Sequence, residues 1–434
     1  MPSRLLAIAA GGLLLVWPAL WNGFPIVFSD TGAFLHQTLG PLMIWDKPWI
    51  YGPLLHLFHE RITLWLPLAA QGLLVSWLLW LTLRSLGRAT PARHVLVCAA
   101  LAALTTAPFS TALLMPDILV VAVVLPAFLL GWGFWALTTA ERIGVVLAAT
   151  VATASHLSFL PLAAGLAVIA LAGGIPAGLR AALPLVLAIG LLATTNRIGH
   201  GTWSVSPHGS TFLLARLIAD GPAARTISDR CAANDPGWYL CAWAGRLPVD
   251  SDVFLWAPDS PVNRDATGQP RFLGGALLSP EARTIVAETI WREPWAVTRA
   301  ILVNTAEQLV TLRPGDTLVA DHLALALRPQ LEGFSARETA RFDASLQAQG
   351  RLAAPELPYP ALVLLALPLL LWGAWRASDR GPAMLAAIIL AALIGNAAAT
   401  GGLSKPHHRY QARIAWLLPF AAIAVLLPRR VEKT

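Results

Sequence analysis

The sequence predicts an all-α polytopic membrane protein, with about ten transmembrane helices and a mixed, mainly helical outer segment. Two observations predict it. Of 434 residues, 56% are hydrophobic and only 13% charged, with a mean hydropathy of +0.62; soluble domains carry about 25% charged residues. Apolar segments then recur over 4–22, 62–83, 94–114, 117–139, 143–155, 157–173, 180–196, 357–375, 382–400 and 412–428.

The first segment exceeds a signal-peptide core and lacks a small-x-small cleavage site after it, so it reads as retained. The two between 143 and 173 fall short of the ~20 residues of a full span and read as a tilted or broken pair meeting at His156. The chain divides into an N-terminal transmembrane module (1–196), an outer, periplasmic segment (197–356) and a C-terminal transmembrane module (357–434).

Basic residues set the orientation. With ten spans, Arg4, the Arg84/Arg88/Arg93 loop, Arg142, Arg180, Arg376/Arg380 and the Arg429/Arg430/Lys433 tail share one side, which reads as cytoplasmic in a bacterial inner membrane, both termini included. The other side receives Asp30, the Met115-Pro116-Asp117 turn, the outer segment and the stretch Lys405 to Arg413. The net charge of +7 and pI near 9.9 partly reflect this asymmetry. No basic stripe interleaved with aromatics accompanies them, so nucleic acid is not an expected partner.

Of the three cysteines, Cys98 lies in an apolar helix and reads as a small hydrophobe. Cys231 and Cys241 flank nine residues that include an Asp235-Pro236-Gly237 turn, which lets them meet as a disulfide outside the cytoplasm. Zinc fits less well, since no second Cys or His pair stands at ligand spacing.

In the outer segment a helix is expected within Trp203 to Ala223. Leu247 to Trp256 reads as loops with a short extended piece. A helix should start with Ser279 as N-cap and Pro280 at its first position, break at Pro294, and continue with one apolar face to Leu312.

Asp30, in Phe28-Ser29-Asp30-Thr31-Gly32, follows the first apolar helix directly. It fits either an N-cap for the helix beginning at Thr31 or an acid working at the outer membrane surface. Near it in sequence stand His36, Asp46 and Lys47. His56, His59 and Glu60 follow at helical spacing, either as a metal-ligand face or as solvated interfacial groups. Asp117 opens the fourth apolar segment, where capping is the plain explanation. His156 and Ser158 mark a polar break of the kind tolerated where it lines a cavity.

Lys405-Pro406-His407-His408-Arg409-Tyr410-Gln411-Ala412-Arg413 puts three cations and two histidines on the outer side. Guanidinium forks match phosphate oxygens, so Lys405, Arg409 and Arg413 are candidate phosphate ligands, with His156, His407 and His408 lining the site. Anionic lipid headgroups are the alternative partner.

Together these residues resemble the GT-C glycosyltransferases, integral membrane enzymes that use lipid-phosphate-linked sugar donors at the non-cytoplasmic face. Their shared mark is an acid in the first outer loop, where Phe28-Ser29-Asp30-Thr31-Gly32 stands; Asp46-Lys47-Pro48-Trp49-Ile50-Tyr51-Gly52 resembles the basic-proline element that leads into their second helix. The resemblance covers roughly 1–200 in layout. Segments around Asp250–Pro261 and His408–Trp416 are similar to those of uncharacterised bacterial membrane proteins. The resemblance implies Asp30 as general base, Asp46 or Asp117 as a second acid, a polyprenyl-linked sugar donor, and a glycan or lipid acceptor. A divalent metal cation is left open, since some members use one and others none. The rivals are a transporter or flippase for a lipid-linked envelope intermediate, which wants ionisable residues in mid-membrane, and a noncatalytic assembly partner.

Overall fold

Proline, threonine and small polar residues punctuate the apolar runs, and the fold is built from the resulting pieces. The computed structural model describes residues 2–40, 43–234 and 236–429. It is all-helical, with isolated bridges and no strand among the described residues. The Asp235 position of the expected turn, and Arg430 and Lys433 of the basic tail, lie outside the described residues.

The chain opens with α1 (Pro2–Leu15) and α2 (Trp17–Asn22), which part at Val16 just before Pro18. An extended stretch leads to α3 (Ser29–Leu39) and α4 (Tyr51–His59). The bundle continues with α5 (Trp65–Ser85), α6 (Pro91–Leu104) and α7 (Ala107–Ala112). A 3₁₀ turn over Pro116–Val120 enters α8 (Val121–Gly131), followed by α9 (Thr139–Ser155), α10 (Phe159–Ala170) and α11 (Ile175–His200). Every residue of α8 is buried, as a helix apolar on all sides requires, and α5, α9, α10, α11 and α21 (Gly381–Ala397) pack around it.

Residues 197–356 hold α12 (Gly209–Ala219), α13 (Pro222–Asn234), α14 (Ser251–Trp256), α15 (Gly274–Arg292) and α16 (Pro294–Val310), then the short α17 (Leu323–Ala326), α18 (Arg328–Leu331) and α19 (Ala336–Asp343). α20 (Tyr359–Arg376) precedes α21, which continues as a π turn over Ala398–Gly402; α22 (His408–Ala415) and α23 (Leu417–Leu426) close the chain. Two cores result. Leu214, Ile218, Phe254, Leu278 and Ile285 form one under α12 to α15. Leu318, Leu323, Leu327, Leu331 and Phe342, later in the same segment, join the core of the bundle instead.

Among the described residues, four helices are long and apolar enough to cross a membrane: Trp65–Ser85, Ile175–His200, Tyr359–Arg376 and Gly381–Gly402. The expectation of about ten is corrected accordingly. Of the six remaining runs, four are divided: 4–22 at Val16, 94–114 at Thr105 and Thr106, 117–139 by 3₁₀ turns at both ends of α8, and 412–428 at Trp416; the other two, 143–155 and 157–173, fall in α9 and α10, helices of 17 and 12 residues. Composition reports the apolar character of such runs, while length depends on single residues that interrupt the ladder.

Two local expectations also change. α15 starts five residues before Ser279, because Gly274 and Gly275 seat its first turn where a Cβ would stand 1.6 Å from the Val262 carbonyl oxygen and 2.2 Å from the Trp45 ring. Pro280 therefore lies inside the helix. Within Leu247 to Trp256 the structure has a helix rather than an extended piece, since the Asp250 carboxylate accepts from the Asp252 and Val253 amides at 2.8 and 3.2 Å and caps α14. The helix expected after Pro294 is present as α16.

α3 approaches α17 at Gly32, where a Cβ would fall 2.0 Å from the Ala326 carbonyl oxygen. Gly32→Ala should lower stability by about 1–3 kcal/mol through overpacking. Thermal unfolding of the purified protein in detergent checks this; an unchanged midpoint would show that α3 and α17 do not meet so closely.

Candidate functional site

The site begins with backbone pairing. The Ile26 amide donates to the Ala112 carbonyl at 3.0 Å and the Leu114 amide to the Ile26 carbonyl at 2.8 Å, so the stretch before α3 docks beside the stretch before Pro116 and Asp117. Buried Gln347 grips Val27, accepting from its amide (3.1 Å) and donating to its carbonyl (2.7 Å). Thr31 accepts from the Phe28 amide at 2.9 Å and donates to the Leu114 carbonyl at 3.0 Å. Capping of α3 thus falls to Thr31, and the capping role considered for Asp30 is corrected.

The Asp30 carboxylate, 31% exposed, stands between two cations: Lys47 Nζ at 3.3 Å and Arg409 Nη1 at 3.7 Å. Lys47 also pairs with Asp46, whose side chain is only 6% exposed. Aromatic rings wall the cations in. Lys47 lies over Phe34 and Trp256, and Arg409 over Phe28 and Tyr410. Burial opposes the charge on Asp30, but Lys47 and then Arg409 outweigh it, so its pKa lies below the ordinary carboxyl value. The pKa of Lys47 is raised: burial opposes its charge, while Asp30 and Asp46 favour it more strongly. The stabilisation that Asp30 draws from these cations is complete above its ordinary pKa and is lost only as pH falls below that value.

Arg409 is anchored by its backbone, whose amide donates to Asp316 Oδ2 at 3.0 Å. Its Nη2 donates to the Tyr410 hydroxyl at 3.1 Å, while Nη1 is buried without a hydrogen-bond partner among the described residues. An unspent donor of that kind costs about 1–3 kcal/mol and is ready for an oxyanion.

Arg413, expected among the phosphate ligands, has another task. Its side chain is 1% exposed. It donates to Asp117 Oδ1 at 3.2 Å, to Ser158 Oγ at 3.1 Å and to Asn396 Oδ1 at 2.8 Å. All three guanidinium nitrogens are engaged, so the phosphate-ligand expectation for Arg413 is corrected. Asp117 is likewise 3% exposed and bound to that guanidinium, which leaves Asp46, sharing Lys47, as the acid in the same ion cluster as Asp30.

Ser158 passes the polarity on. It accepts from Arg413, and its hydroxyl stands 2.8 Å from His156 Nδ1, which also accepts from the Ser158 amide at 3.3 Å. Nδ1 is therefore the acceptor, and neutral His156 carries its proton on Nε2. The imidazole lies within electrostatic reach of both Asp30 and Arg409.

Lys405 is corrected too. It pairs with Asp250 at 2.6 Å and Asp252 at 2.9 Å, and His407 Nε2 stands 3.2 Å from the same Asp252 carboxylate. Burial raises the Asp252 pKa, but His407 and Lys405 overcome it and bring the value to about 2. Gln308 holds His407 by both its amide (2.9 Å) and its carbonyl (2.8 Å). His408 Nδ1 accepts from the Arg313 amide at 3.0 Å. These histidines fix the loop to the outer segment rather than lining the opening at Asp30.

The metal-face reading of His56, His59 and Glu60 fails at the helix end. Glu60 has φ 43°, which closes α4 at His59 and turns the carboxylate off the helical face. No group of three metal-binding side chains occurs among the described residues. Cys231 and Cys241 form the expected disulfide, with Cα atoms 5.4 Å apart, and Cys98 is free and buried.

Lys47 stands out in the sequence as a neighbour of Asp30 but without a role of its own; Asn396 does not stand out, since in an apolar helix it carries only its polarity. Comparison with family models, curated proteins and solved structures finds no match to the chain.

Asp117→Leu would leave the Arg413 charge buried and uncompensated, at a cost of about 3–5 kcal/mol, whereas Asp117→Leu combined with Arg413→Met should recover most of the loss. Thermal unfolding in detergent reads both. A single variant as stable as the parent would refute the pairing.

Proposed function

We propose that the protein is a membrane glycosyltransferase that moves a sugar from a polyprenyl-phosphate-type donor to a glycan or lipid acceptor at the periplasmic face of a bacterial inner membrane. The observation that carries this reading is the Asp30 carboxylate held between Lys47 and Arg409 at a partly open position, with an unspent guanidinium donor beside it. An acid next to two cations is the arrangement needed to deprotonate a hydroxyl while a phosphate leaves.

In this mechanism the acceptor hydroxyl attacks the anomeric carbon and gives its proton to Asp30. The bond from that carbon to the phosphate oxygen breaks, and the electron pair departs with the lipid phosphate, stabilised by Arg409 and Lys47. Asp30 in the unliganded site is a poor base, because those cations hold its pKa down. The donor phosphate corrects this. It draws the cations onto its own oxygens and adds a negative charge nearby, and both effects raise the Asp30 pKa when the base is needed. Asp30 and Asp46 share Lys47, and no third metal-binding side chain joins them among the described residues, so this ion cluster does not fit a divalent cation.

The orientation rests on basic residues gathered at the other end of the bundle. Arg4 and Arg84 share Glu141, Arg93 donates to the Pro428 carbonyl, and Arg429 pairs with Asp379. Under the positive-inside rule this end is cytoplasmic. A second reading, a carrier for a lipid-linked intermediate, draws on Asp117 and Arg413, an ion pair buried within the bundle.

Asp30→Asn should lower kcat on the order of 10²–10⁴-fold with little change in KM. Arg409→Ala should also raise KM, because the phosphate is anionic before reaction begins. The acid limb of kcat should lie at higher pH than that of kcat/KM, since bound donor raises the Asp30 pKa. Steady-state kinetics with a polyprenyl-linked sugar checks all three, and full turnover by normally expressed Asp30→Asn protein would overturn the mechanism. An Asp30→Asn protein without turnover that still carried lipid-linked sugar across vesicles would favour the carrier instead.

Reporter fusions at Arg88 and Ala266 should report opposite compartments. The same compartment for both would overturn the topology and the site assignments built on it.

A further inference from the structure

With its π turn, α21 runs over Gly381–Gly402, 22 residues, or about 33 Å at 1.5 Å per residue. That is close to the ~30 Å of a hydrocarbon core. Its C-terminal end leads to Arg409 and Asp30. Its N-terminal end, beside Asp379, borders a cavity of about 410 Å³ lined by residues that include Arg88, Trp372, Arg376, Asp379, Leu426 and Arg429. The volume falls in the ~300–1,000 Å³ range of small-molecule sites.

Among the described residues, cations outnumber acids in this cavity. Asp379 is already engaged on both oxygens: Oδ1 accepts from the Gly381 amide at 2.7 Å and Oδ2 pairs with Arg429. Arg88 is only 6% exposed. One of its terminal nitrogens donates to the Ala424 carbonyl at 2.5 Å, which caps the end of α23, yet its Nε is buried with no hydrogen-bond partner among the described residues. Capping alone leaves that donor unexplained. Arg376 has no carboxylate partner among the described residues, and its guanidinium lies 5.0 Å from the Trp372 ring centroid. Val425 and Leu426 supply an apolar wall next to these cations.

We propose that this cavity binds a phosphate group, held by Arg88 and Arg376, at the end of the bundle opposite Asp30. Planar guanidiniums with free N–H groups match phosphate oxygens, and the apolar wall suits a group attached to a hydrocarbon chain. The proposal is independent of the glycosyltransferase reading, since it uses none of the residues around Asp30. The phosphate can come from a lipid headgroup or from free phosphate.

Native mass spectrometry of the full chain in detergent, titrated with phosphatidic acid and separately with phosphatidylcholine, tests the site. Phosphatidic acid should bind in preference, and Arg376→Gln and Arg88→Gln should each weaken it about tenfold, as loss of a charge-assisted bond does. The exposed Arg376 side chain makes no hydrogen bond among the described residues, so its variant keeps the fold even if Arg88→Gln unfolds. Arg380→Gln removes a cation at the same end but outside the cavity and should leave binding unchanged. Competition by millimolar inorganic phosphate would identify a free-phosphate site, and its failure to compete a headgroup site; either supports the proposal. Equal binding of both lipids by the parent protein, unchanged binding in Arg376→Gln, or equal loss in Arg380→Gln would overturn it.

Discussion

The bundle depends on one buried cation. Arg413 joins the 3₁₀ turn at Asp117, the break between α9 and α10 at Ser158, and α21 at Asn396. Each is a place where an apolar segment is interrupted or turns polar, and helix breaks at such depth persist only where their polar groups find partners. A guanidinium has five donors in a fixed plane, enough to serve three segments at once. The same residue reaches outward as well, since the Trp416 indole donates to its carbonyl at 2.9 Å where α22 gives way to α23.

Four residues earlier, Arg409 is the reverse case. Arg413 is saturated, whereas Arg409 keeps a nitrogen unbonded beside Asp30. α22 carries both residues one turn apart, so the saturated guanidinium anchors the helix that places its neighbour beside Asp30. Under the proposed function, the charges of Asp30, Lys47 and Arg409 are already gathered in the unliganded site, as preorganised electrostatic stabilisation requires.

The sequence made the helical class legible because apolar periodicity depends on many residues, and it brought Asp30 and Arg409 forward because charged residues are scarce in such a chain. The disulfide was legible from two cysteines a turn apart. The number of long helices was not, since it depends on where a few residues such as Val16, Thr105 and Trp416 end a ladder. Nor were the partners of Lys405 and Arg413. Three cations within nine residues look alike in sequence, and only their tertiary neighbours separate them: Asp250 and Asp252 for one, Asp117 for another, Asp30 for the third. Glu60 shows the same limit, because helical spacing has no meaning once φ turns positive.

The pairing of Lys405 with Asp250 and Asp252 has a mechanical side. Lys405 lies four residues before Arg409 on one short connection, and its two carboxylates belong to the cap of α14 under the disulfide-closed core. A force that displaces this outer core pulls on the connection and is resisted at Asp316, which holds the Arg409 amide. The core under α12 to α15 and the guanidinium beside Asp30 are thereby tied through one short connection, so a displacement of that core is carried toward the spacing between two charges.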